Sequence, residues 1–182
     1  AGVRARILVM ADCLPSEHEG LEQYALTPVV HSLEDLAGLE SFAEARPAGL
    51  AYHLKLDTGM GRLGTRAPAE EIVAAIRRCR RLQFEGLTTH FASSADYSTA
   101  QTDRQIEVFE EVLEALRRAG TEPRWIHLSS TNPVAYGRRR AWGNLVRAGH
   151  SLYGYVSPAK GSAPARTLEV KPALAWKARI LA

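Results

Sequence analysis

Runs that read as β-strands take strict turns with runs that read as α-helices, and this alternation constrains the fold more than any other feature of the chain. Strand-like runs fall at residues 7–10, 26–31, 52–57, 84–90, 125–129 and 144–147. Ser16-Glu-His-Glu19 reads as a capping box ahead of a short helix through Leu21 and Tyr24. Ser32 caps a helix with Leu36, Leu39 and Phe42 on one face. Pro68 suits the first turn of a helix in which Ile72, Ile76, Cys79 and Leu82 recur at helical spacing. A longer helix over about 100–119 turns Ile106, Phe109, Leu113 and Leu116 inward and stops at Gly120, and Asn132-Pro133 opens a further short one. Short strands joined through helices make right-handed βαβ units and a parallel sheet.

The run His53-Leu-Lys-Leu-Asp-Thr-Gly-Met-Gly-Arg-Leu-Gly64 carries the densest chemistry. Strand alternation sends His53, Lys55 and Asp57 to one side and Leu54 and Leu56 to the other. An exposed amphipathic edge strand would show the same alternation. It accounts poorly for Gly59, Gly61 and Gly64 within six positions, because glycines at that density let the backbone take positive φ or approach a ligand closely. The run therefore reads as the floor of a ligand site.

Polar residues cluster where strands end: Lys55 and Asp57, His90, Ser129 to Asn132, and Arg147 to His150. Parallel barrels build their sites from these βα loops. A doubly wound sheet places ligands near a single crevice, so four consecutive polar strand ends fit a barrel better.

Composition narrows the partners. A chain of 182 residues with 46% apolar and 24% charged residues is of ordinary globular make-up, with room for one core. Net charge is +3, and most arginine pairs sit where helices end, which suits the helix dipole. No aromatic interleaving accompanies them, so nucleic acid is not an expected partner. Cys13 and Cys79 lack metal or redox spacing and read as free thiols of a reducing compartment. No window approaches about eighteen apolar residues and no leader opens the chain, so no membrane is expected and the cytoplasm is the expected location. The chain begins almost directly in a strand and stops at Ala182 inside an apolar run, as an internal piece of a longer protein would. The expected organisation is a partial barrel over 1–157, a linker rich in Pro, Ala and Gly over 158–167, and the first strand of a β domain over 168–182.

Four segments together resemble the bacterial alanine racemases: the 53–64 run, Thr89-His-Phe-Ala92, His127-Leu-Ser-Ser-Thr131, and Val146-Arg-Ala-Gly-His-Ser-Leu-Tyr-Gly154. They occur in the family's order and at family-like separations. The resemblance implies a pyridoxal 5'-phosphate (PLP) enzyme with an N-terminal (β/α)8 TIM barrel. This chain would run from about the third barrel strand to the first strand of the C-terminal β domain.

Residue roles follow from the resemblance. Arg147 would face the pyridine nitrogen of PLP. Arg62 would bond its phenolic oxygen and help hold the substrate carboxylate. Lys55 would be a site of carbamylation, giving an anion that pairs with Arg62. His90 and His127 would form the polar network behind Arg147. Ser130, Thr131, Gly149 and His150 would cradle the phosphate, with Thr131 using its hydroxyl and backbone N–H. The family commonly reads Asn-Ser-Ala where this chain has Ser130-Thr131-Asn132, and His150 stands where an aliphatic residue is usual.

The implied reaction interconverts L- and D-alanine by two-base proton transfer in a homodimer, supplying D-alanine for peptidoglycan. The family's PLP-bearing lysine falls upstream of Ala1 and its opposing tyrosine downstream of Ala182, so this polypeptide alone is expected to be inactive. A racemase for serine or another small amino acid, or a non-catalytic PLP-binding barrel protein, are the other readings that the resemblance leaves open.

Overall fold

The computed structural model describes residues 4–46 and 49–179. The last three residues of the segment expected to open a β domain, 180–182, lie outside the described residues. Strands β1 (Ile7–Val9), β2 (Leu26–Val30), β3 (Leu50–Lys55), β4 (Leu82–Thr88) and β5 (Trp125–His127) form one sheet in chain order, each parallel to its neighbour. Helices α1 (His18–Gln23), α2 (Leu33–Glu44), α3 (Ala69–Arg78) and α4 (Gln101–Arg118) link successive strands, and α5 (Thr131–Ala135) follows β5. A strand order that never skips a neighbour belongs to a barrel, whereas a doubly wound sheet reverses at a switch point. The expected partial TIM barrel is present, as a curled five-stranded α/β half-barrel.

The core lies between sheet and helices. Tyr52, Leu54 and Leu56 on the outer face of β3 and its extension pack with Leu36, Ile72, Ile76, Ile106 and Phe109. Burying each such side chain contributes about 1.5–3 kcal/mol. His53 and Lys55, on the opposite face, are also buried. β3 is thus central and covered on both faces, as parallel strands usually are, and not an exposed edge strand.

Helix starts follow local chemistry. The Ser32 hydroxyl accepts the N–H of Asp35 at 2.9 Å and caps α2. The expected cap at Ser16 moves upstream: a 3-10 turn over Pro15–Glu17 precedes α1, and the Glu17 carboxylate reaches back to the N–H of Leu14 at 2.9 Å. Pro68 takes the cap position of α3 and not its first turn. α3 also stops earlier than its apolar spacing suggests. Cys79 turns extended at the helix end and Leu82 opens β4, while the Glu40 carboxylate accepts the N–H groups of Arg80, Arg81 and Leu82.

The strand expected at 144–147 is not formed. Gly143 takes φ +65°, and the Asn144 side chain then occupies ladder positions beside β5. Its amide oxygen accepts from Ile126 N–H and its amide nitrogen donates to Arg124 C=O, both at 2.8 Å. The N–H groups of Asn144 and Leu145 both donate to Ile126 C=O, and that of Arg147 donates to Ser129 C=O. The segment follows β5 without building a regular ladder. Farther on, Leu168 and Val170 pack beside a small cluster of Ala135, Tyr136 and Val156. No helix among the described residues is long and apolar enough to cross a membrane.

Candidate active site

The C-terminal ends of β3, β4 and β5 converge on Arg147. One guanidinium nitrogen donates to the Thr88 hydroxyl (3.1 Å), His127 Nδ1 (2.9 Å) and His127 C=O (2.7 Å). The other donates to Thr89 C=O (2.7 Å), His90 Nδ1 (3.3 Å) and Leu128 C=O (3.1 Å). The Nε–H has no acceptor among the described residues, and no carboxylate pairs with this cation there. Burial pushes Arg147 down to about 10, which leaves it charged at neutral pH.

Its histidine neighbours stay neutral. Burial, reinforced by the Arg147 charge, pushes His90 down to about 4 and His127 to about 2. Because guanidinium can only donate, both histidines must accept at Nδ1 and carry their proton on Nε2. His127 is fully buried behind Arg147 and bonds His53 at 2.8 Å.

A cavity of about 530 Å³ opens in front of Arg147, lined also by His90, Ser130, Thr131, Gly149 and His150. Thr131 gathers its rim, with its hydroxyl oxygen accepting the N–H of Gly149 (3.3 Å) and of Ser151 (3.2 Å). With both lone pairs engaged, the hydroxyl hydrogen is the group left to donate, and Ser151 Oγ stands within its reach at 3.4 Å. His150 is exposed and stacks edge-on against Tyr155.

The 53–64 run supplies the adjoining wall. Asp57 shapes the turn: one carboxylate oxygen accepts the N–H groups of Gly59, Met60 and Gly61 at 2.9–3.1 Å, and the other accepts from Arg66 at 2.7 Å. Burial would raise its pKa, but the Gly61 N–H, Arg66 and Gly59 together hold it below the usual range. Gly64 sits at φ +120°, where a Cβ would lie 2.6 Å from Asp57 N, so only glycine closes this turn. Lys55 is buried at the end of β3, and its ammonium meets no acceptor among the described residues. Burial, then the charges of Arg62 and Arg147, lower its pKa against the opposing pull of Asp57. Arg62 is exposed on the turn. Neither Lys55 nor Arg62 lines the cavity, although their charges reach His90 and each other.

Two groups escaped the sequence reading. Gln105 of α4 is buried and bridges the site, donating to Thr58 and to His90 C=O while accepting the Ala92 N–H. Its signal was a polar residue on the inward stripe of an amphipathic helix. Glu85 of β4 is buried beside His53 and paired with Arg6. A carboxylate next to glycine in the middle of a strand was its only trace.

Comparison with known proteins agrees with this geometry. Residues 1–158 match the family model described as alanine racemase, N-terminal domain. The alanine racemase of Carboxydothermus hydrogenoformans is 36% identical over 99% of this chain, and that of Halothermothrix orenii is 34% identical over 100%. The chain spans about half the length of each, 48% and 47% respectively. A solved alanine racemase from Clostridium difficile 630, in complex with cycloserine, superposes with TM-score 0.81 at 25% identity, covering 94% of this chain and 47% of that one. A half-barrel that gathers these four motifs around one half-buried arginine, matched over nearly all of this chain by such relatives, belongs to the alanine racemase family.

Proposed function

We propose that this chain forms the PLP-holding part of an amino-acid racemase acting on alanine. The observation that carries the reading is Arg147, fixed by six acceptor contacts with one N–H left over at the wall of a cavity. The donor set fits PLP. Arg147 would face the pyridine nitrogen, Thr131 and the backbone near Gly149 and His150 the phosphate, with Ser130 beside them, and Arg62 the phenolic oxygen. When bound, PLP supplies an electron sink for charge developing at Cα of the amino acid.

Arg147 tunes that sink by donating to the ring nitrogen without surrendering a proton, since guanidinium stays charged at working pH. With PLP bound, a sink weakened in this way would favour return of a proton at Cα. His127 and His90, both neutral, hold the guanidinium in place. Burial and the charges of Arg62 and Arg147 lower the Lys55 pKa, which raises the share of neutral amine. That amine can bond to carbon dioxide while losing one proton to water, and the resulting carbamate would pair with Arg62.

The same reading places the intact protein in the cytoplasm as a homodimer that supplies D-alanine for peptidoglycan. It takes 1–157 as the cofactor-holding unit, 158–167 as a connection and 168–182 as the start of a second unit. The lysine and tyrosine that exchange protons at Cα have no counterpart in the motifs of this chain, so the 182-residue polypeptide by itself is proposed to be inactive.

The test is to measure PLP binding by the intact protein and its conversion of L-alanine, D-alanine and L-serine. Saturable PLP binding with alanine as the best substrate is the expected result. Failure to bind PLP would refute the reading, and faster turnover of serine would move it to a different racemase.

A further inference from the structure

A line of buried polar groups continues inward from Arg147 through the half-barrel. Arg147 donates to His127 Nδ1 at 2.9 Å, and His127 Nε2 meets His53 Nδ1 at 2.8 Å. His53 Nε2 faces the Glu85 carboxylate at 3.8 Å, and Arg6 grips that carboxylate with two bonds of 2.7 and 2.5 Å. The side chains of His53 and Glu85 are 5% and 6% exposed, and His127 is fully buried.

Donor logic gives this line one direction. Arginine has no acceptor, so His127 Nδ1 must accept and its proton must sit on Nε2. That proton is donated to His53 Nδ1, which obliges His53 to carry its own proton on Nε2, aimed at Glu85. We propose that Glu85 and His53 are positioning residues for Arg147: the carboxylate, itself held by Arg6, fixes the tautomers of two imidazoles so that His127 presents an acceptor to the guanidinium.

Three independent features of the fold support the relay. The β3–β4 register slips at this point, pairing Tyr52 with Phe84 but His53 with Gly86, so Glu85 is the extra residue of a bulge. Bulges re-aim side chains, and this one brings Glu85 beside His53. Gly86 is required by the same ring, because a Cβ there would lie 2.6 Å from His53 Cγ. Finally, no carboxylate pairs with Arg147 directly among the described residues, whereas Glu85 stands two imidazoles away. A half-buried cation without a carboxylate of its own depends on oriented dipoles, and the Glu85 carboxylate, 3.8 Å from His53 and too far for a hydrogen bond, acts on the line through its charge. Burial also holds His53 down at about 4, against the raising effect of Glu85, and so favours a neutral ring at working pH.

That the relay serves PLP rests on the reading of Arg147 given above; the tautomers do not. The test is long-range proton–nitrogen NMR of the intact protein labelled with 15N-histidine, run without PLP and repeated for Glu85→Gln. Both His53 and His127 are expected as neutral Nε2–H tautomers at neutral pH. Glu85→Gln is expected to shift the nitrogens of His127, which Glu85 does not touch, and to weaken PLP binding roughly fivefold to tenfold. An Nδ1–H tautomer or a protonated ring at either position would overturn the proposal, as would His127 nitrogens unmoved by Glu85→Gln. If that variant fails to fold, the tautomers of the unmodified protein decide. Correct tautomers in a protein that binds no PLP would refute the cofactor reading and leave the relay standing.

Discussion

Arg147 does two things that a lysine could not. Its planar fork spans acceptors on β4 and β5 at once, and it keeps one more N–H in reserve. Arg147→Lys preserves the charge but forfeits most of those bonds. It is expected to weaken PLP binding about a hundredfold, roughly 2–3 kcal/mol, as read by fluorescence titration of the cofactor. A loss below threefold would mean that the fork is not what holds PLP. Arg147, His90 and His127 were legible because each stands in a short motif at a strand end. Glu85 and Gln105 were not, because their function appears only when a bulge or a helix face turns them inward, and one sequence does not show where β3 slips against β4.

The strand–turn element over 53–64 behaves as a rigid unit. Asp57 ties down three consecutive amides, and Gly64 brings the returning chain against Leu56 and Asp57. Gly64→Ala combines a backbone that L-residues avoid with a collision against backbone atoms. The expected cost is about 2–4 kcal/mol in urea unfolding. A cost under about 0.5 kcal/mol would show that the turn relaxes freely. The cap of α2 offers a milder comparison: Ser32→Ala should cost about 1 kcal/mol, since the Asp35 N–H loses its acceptor and the exposed Asp35 carboxylate loses one donor. Both features were visible in the sequence, one as glycine density and the other as a serine ahead of an apolar stripe. The missing strand at 144–147 was not. Its apolar residues match a strand pattern, but the side chain of Asn144 takes the places that backbone groups would fill.

For the molecule as a whole, two buried histidines and one half-buried histidine set the acid limit of stability. His53, His90 and His127 are held, chiefly by burial, at about 4, 4 and 2. Unfolded, each would take up a proton near pH 6.5. Between those values the unfolded state binds more protons than the folded one, so stability falls as pH drops from about 6.5 toward 4. The limiting slope is about 1.4 kcal/mol per pH unit for each histidine. Asp57 and Glu85, both held below the ordinary carboxylate range, add their losses only below about pH 4. Urea titrations from pH 8 to 5 check this, and a stability independent of pH across that range would contradict the buried, neutral network. The alternation of strands and helices made the parallel half-barrel readable in advance. The internal polar line across it depends on side chains meeting from three strands, which no local pattern records.

The most direct measurement is the 15N chemical shift of the pyridine nitrogen in 15N-labelled PLP bound to the intact protein. An arginine that donates without releasing its proton should leave that nitrogen unprotonated and hydrogen-bonded, with a shift that changes in Arg147→Lys. A pyridinium signal, or a shift indifferent to that substitution, would show that Arg147 does not face the cofactor ring.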